Sequence, residues 1–143
     1  MPVITGRNPN MAEAGLVIPV RISPSFPIIE LSKKRKQEAP KPIELIALVD
    51  TGATRTVVRE GICKKLNLIP RNRVLISTAG EPCYADEFDV AVFFPMLNIG
   101  FETIFVLEAP LTGQNITCLI GRDLLSKGIL FYNGFDNAYT LGF

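Results

Sequence analysis

Histidine is absent from this chain of 143 residues, and its absence removes whole classes of chemistry. Serine triads and cysteine proteases activate their nucleophiles with an imidazole base, so neither class fits. Zinc sites lose a usual nitrogen ligand. The cysteines, Cys63, Cys83 and Cys118, do not make good that loss, because no two of them form a C-x-x-C pair. No phosphate loop and no dinucleotide fingerprint occurs either, and we expect neither metal nor cofactor. Three cysteines, an odd number, fit a reducing compartment better than a disulfide framework. An excess of one charge is also lacking: 15 Lys and Arg stand against 14 Asp and Glu, which gives no electrostatic footprint for nucleic acid. The one basic cluster, Lys33-Lys34-Arg35-Lys36, lies between Pro27 and the pair Pro40/Pro42 and reads as a solvated loop. Met1 to Pro9 has no apolar leader region. The apolar stretch Val90 to Leu107 is interrupted by Pro95, Asn98, Gly100 and Glu102, which reads as two strands and a turn rather than a membrane span. The expectation is a cytoplasmic protein with no membrane or nucleic-acid partner.

What is present is apolar: 48% of the residues, enough for one domain with a substantial core. Residues 1–14 read as a loosely held arm, followed by a single domain over 15–143 with a basic, proline-rich loop at 33–42. Leu16 to Ile22 reads as a strand, placed near an edge by Pro19. Ile43 to Val49 is a second, buried strand. Val58, Ile62 and Leu66 recur at four-residue spacing and mark one face of a short helix ending near Asn67. Strands follow at Val74 to Ser77, Cys83 to Phe94, Phe101 to Leu107 and Thr117 to Ile120. A short helix from Arg122 to Lys127 is stopped by Gly128. The chain closes on a hairpin, Ile129 to Tyr132 and Ala138 to Leu141, turning at Asn133-Gly134. Many short strands with two short helices argue for an all-β barrel or sandwich.

One carboxylate stands out. Ala47-Leu48-Val49-Asp50-Thr51-Gly52-Ala53 places Asp50 at the end of an apolar run, directly before a glycine turn. A carboxylate at the mouth of a buried strand is costly unless it is paired, hydrogen-bonded or used. Further on comes Cys118-Leu119-Ile120-Gly121-Arg122-Asp123-Leu124-Leu125. Together these motifs resemble the retropepsins, the retroviral-type aspartic proteases, and their bacterial and cellular single-domain relatives. The resemblance spans Ile43 to Phe143 and implies a closed acid-protease barrel, one lobe of a pepsin-like enzyme.

The resemblance also implies roles. Asp50 is the candidate catalytic residue of an aspartic endopeptidase, and Thr51, Gly52 and Ala53 complete its loop. Thr78, Ala79, Gly80, Glu81 and Pro82 fall at the tip of a flap that closes over bound peptide. Arg122 and Leu124 support the loop from the short helix. Aspartic proteolysis uses two carboxylates sharing one proton across a water. Asp-Thr-Gly occurs once here, so a second copy of the chain must supply the partner about a two-fold axis. The chain carries Thr54 where many retroviral enzymes have an acid that pairs with the arginine of this motif. That departure, and a flap with a single glycine, keep a second reading open: a non-catalytic peptide-binding or assembly module on the same fold.

Overall fold

Buried and exposed positions alternate along Val17–Pro24 and Cys83–Phe94. In a computed structural model, which describes residues 1–77, 80–112 and 115–143, both segments are strands with one face in the core. The elements run β1 (Val3–Arg7), α1 (Met11–Ala14), β2 (Val17–Pro24), α2 (Phe26–Lys34), β3 (Ile43–Val49), β4 (Val57–Arg59) and α3 (Ile62–Lys65). They continue with β5 (Asn72–Ile76), β6 (Cys83–Phe94), β7 (Ile99–Ala109), β8 (Cys118–Ile120), α4 (Arg122–Leu125), β9 (Ile129–Asn133) and β10 (Ala138–Gly142).

Six strands close a barrel. The order is β2-β3-β8-β4-β7-β6, and β6 pairs back onto β2 through Arg21↔Phe93 to Pro24↔Val90. A register shift between Val90 and Val92 bends β6 where it changes partners along its length. β5 lies outside the ring and pairs only with β6, in register from Asn72↔Glu87 to Ile76↔Cys83. β5 and β6 therefore form a hairpin whose first strand stands outside the ring. A separate three-stranded sheet, β1-β10-β9, packs beneath. The core joins the two sheets: Phe94 of β6 meets the C-terminal Phe143 at 4.9 Å between ring centroids, and Phe101 of β7 meets Phe143 edge-on at 5.3 Å. Cys63 and Cys118 are buried, whereas Cys83 is exposed beside the hairpin turn.

Three expectations change. Residues 1–14 are not a loose arm, because Val3–Arg7 pairs along its whole length with Gly142–Ala138, and Met11 is buried. The basic, proline-rich stretch 33–42 is not all loop, because α2 occupies Phe26–Lys34 and takes in Lys33 and Lys34. Pro27 sits in its first turn, where a missing N–H costs nothing. Only the tail of the basic cluster, Arg35 and Lys36, lies beyond this helix. β2 is an edge only over its first half, since β6 pairs with it from Arg21 onward. Pro19 is accommodated because it lies where β2 pairs with β3 alone, before pairing with β6 begins at Arg21. In the smaller sheet β10 is the centre, and β1 and β9 are the edges.

Candidate active site

β3 delivers Asp50. Its last residues pair in parallel with β8, Val49 opposite Ile120, and the Asp50 N–H continues the ladder to Ile120 O at 3.0 Å. The chain then turns. The Asp50 carboxylate organises that turn itself: Oδ1 accepts the Gly52 N–H at 2.8 Å, and the Ala53 N–H reaches Asp50 O at 3.2 Å. Gly52 does not use a left-handed conformation here. Its value is space, since a β-carbon would lie 3.1 Å from the same carboxylate oxygen. Asp50 and Ala53 are half-buried, and Thr51 and Gly52 are exposed.

Below the loop lies a bracket built from β8 and α4. Arg122 donates from Nη1 to Thr51 O at 2.7 Å and from Nη2 to Thr54 Oγ1 at 3.1 Å. The Arg122 N–H bonds Ala53 O at 2.9 Å. Thr54 thus gives this arginine an acceptor where a carboxylate would otherwise stand. Leu124 is fully buried under the bracket. Gly121 is required by proximity: a β-carbon would fall 2.5 Å from the carbonyl carbon and oxygen of Arg55.

Two residues matter here that local sequence spacing did not single out for this purpose. Asp123 reads from the sequence as a helix-start carboxylate, favourable to the dipole. In the fold it also clamps Thr56, which is completely buried: Oδ2 accepts the Thr56 N–H at 2.9 Å and Oδ1 accepts the Thr56 hydroxyl at 2.8 Å. Thr56 Oγ1 in turn accepts the Gly121 N–H at 3.2 Å. A lone hydroxyl ahead of the apolar Val57-Val58 was the available signal. The same carboxylate affects Cys118: burial first, and then the charge of Asp123, push this thiol up to about 12.

β5 and β6 pair antiparallel as a hairpin, from Asn72↔Glu87 to Ile76↔Cys83. Gly80, Glu81 and Pro82 are exposed at its turn, and Thr78 and Ala79 lie outside the described residues. Among the described residues no helix is long and apolar enough to cross a membrane.

A family profile described as aspartyl protease matches residues 41–124. No curated protein matches the chain. Among solved structures, a retropepsin-like aspartic protease from Rickettsia conorii is 13% identical, with 97% of this chain and 91% of that one covered at a TM-score of 0.48. The retroviral protease-like domain of Ddi1 from Leishmania major is 16% identical, covering 88% and 86% at a TM-score of 0.46. The simian foamy virus protease is 22% identical, covering 58% and 81% at a TM-score of 0.42. The matched span runs from the approach to β3 through most of α4, more than half of the chain, and this protein belongs to the aspartyl protease family.

Proposed function

We propose that the protein is an aspartic endopeptidase that works as a homodimer, with Asp50 of each copy forming the catalytic pair. The observation that carries this reading is the Asp50-Thr51-Gly52 loop, held from below by Arg122 and exposed above, in a chain with a single copy of the motif. Two carboxylates brought together on a two-fold axis cannot both ionise, so they hold one proton between them. The ionised member takes a proton from water as that water attacks the peptide carbonyl, and the protonated member donates to the carbonyl oxygen. The pair titrates as a unit. Activity is therefore greatest at acidic to near-neutral pH, where one carboxyl of the pair is protonated and the other is not. The β5–β6 flap closes over the peptide and excludes water.

Thr51 and Gly52 are exposed in the single chain, as a dimer contact through this loop requires. A surface for that copy is at hand. β9 follows α4 after Ser126, Lys127 and Gly128, and is a free sheet edge among the described residues, with Ile129 and Phe131 exposed. The Thr54 departure, which favoured a non-catalytic module, loses that weight because Thr54 serves as an acceptor for Arg122.

The test is Asp50→Asn. Cleavage of a peptide panel is expected to fall by about 10³-fold or more, with circular dichroism and melting temperature retained. A statine-type peptide inhibitor should bind the unsubstituted protein. Undiminished cleavage by the variant rules the assignment out. A wild-type dimer that binds peptides without ever cutting them would favour the binding module.

A further inference from the structure

A chain of four charged side chains lies beside the active-site loop and belongs to none of the roles above. Arg55, directly after Thr54, donates from Nη2 to Glu87 Oε2 at 2.6 Å and to Phe105 O at 2.9 Å. Glu87 is on β6, and its side chain is only 9% exposed. On its other side stands Arg71, immediately before β5, with Nε 3.9 Å from Glu87 Oε1 and 3.3 Å from Asp89 Oδ1. The Arg71 guanidinium also lies over the Phe105 ring, 3.8 Å from its centroid, and the Arg71 backbone N–H bonds Glu87 O at 2.8 Å. Asp89 Oδ1 is buried and makes no hydrogen bond among the described residues, so its ion pair with Arg71 is its compensation.

Stability alone is a poor reason for such an arrangement. A buried ion pair returns little net free energy over well-packed apolar side chains, because both charges lose their hydration. Such a pair can instead fix geometry: each nitrogen and oxygen must meet its partner in one relative placement. The parts joined here are the loop that carries Asp50, both strands at the root of the β5–β6 hairpin, and β7. Resting on the reading of Asp50 as catalytic and of the hairpin as a flap, we infer that Glu87 and Arg55 are positioning residues. They set the flap's root against the active-site loop, so that closure brings the flap over a peptide in register with Asp50. Arg71 and Asp89 hold Glu87 in place from the outside.

The experiment separates this role from the catalytic reading by using hydrogen exchange on the Asp50→Asn protein, which requires no activity. Adding Glu87→Gln is expected to speed amide exchange in residues 72–76 and 83–87 by about tenfold, with β9 and β10 unchanged. In the active protein the same substitution is expected to raise KM for a peptide substrate about fivefold, with kcat changed less than about twofold. Arg55→Lys, which keeps the charge and loses the fork, should recover part of that effect. Arg55→Met/Glu87→Met replaces the pair with apolar volume: melting temperature is expected to return to that of the parent while KM stays raised. Exchange that is unchanged, or faster everywhere alike, overturns the inference, as does a double variant that restores KM along with stability. If the wild-type chain cuts no peptide, the catalytic reading fails, and the exchange result still decides whether Glu87 anchors the hairpin.

Discussion

Two adjoining parts of the C-terminal segment meet their surroundings on opposite terms. Gly121 to Leu125 is satisfied within the chain: its N–H groups bond Thr56 Oγ1, Ala53 O, Thr54 O and its own first turn, and Leu124 is buried. From Ile129 onward one side of the structure is open. Among the described residues β9 has a single neighbour, and the outer face of its sheet shows Val3, Ile129 and Phe131 at 50%, 48% and 63% exposure. The register puts Val3, Gly142 and Ile129 in one row of that face, and Thr5, Thr140 and Phe131 in the next. The bracket carries its own partners; the sheet presents apolar side chains and an unpaired edge, which natural proteins rarely leave uncovered. Three residues after α4 separate the two. In the homodimer proposed above, the first region would fix where Asp50 points and the second would bring its mate to it.

The sharpest way to break the first region is Gly121→Ala. The added methyl meets the backbone of Arg55 and Thr56, which cannot move without shifting the loop itself. We expect a loss of about 3 kcal/mol, seen as an early denaturant midpoint. A variant as stable as the parent would show that the bracket yields, and the contrast drawn between the two regions would fail.

Phe131→Asp tests the second region. Phe131 is exposed in the single chain, so monomer stability should change by less than about 0.5 kcal/mol. Dimer affinity is expected to weaken by about 10- to 100-fold, read by sedimentation velocity, and peptide cleavage should become steeply dependent on protein concentration. Unaltered self-association would place the dimer contact elsewhere.

How much of this was legible beforehand follows from sequence distance. The Asp50 loop could be read because its ingredients are contiguous: an apolar strand, one carboxylate and a small-residue turn. The strands around it alternate with a period of two, so most of the barrel was legible. β1 was not, because a short Val3–Arg7 segment becomes a strand only by pairing with residues 138–142. α2 was masked by Pro27, a residue that punctuates loops and equally opens helices. The clamp between Asp123 and Thr56 spans 67 residues, and the pair of Arg55 with Glu87 spans 32, so no local spacing could report either. The role of Arg122 was half legible: its motif was plain, but the acceptor that Thr54 supplies required the fold.

That acceptor gives the finest test of the bracket. The Arg122 guanidinium holds the loop through one backbone carbonyl and one hydroxyl, and both bonds are solvent-exposed. Thr54→Ala removes the hydroxyl and leaves the bond to Thr51 O, so the expected cost is about 0.5 to 1 kcal/mol in chemical denaturation. Thr54→Asp supplies the carboxylate that many retroviral enzymes carry here. An exposed ion pair is worth about 0 to 1 kcal/mol, so this variant should equal or slightly exceed the parent at low salt, and its advantage should fade as salt rises. A large loss in Thr54→Ala would mean that the hydroxyl carries more of the loop than the backbone bonds beside it. The bracket would then hang on one side chain, and the self-sufficiency that sets it apart from the β9 face would be lost.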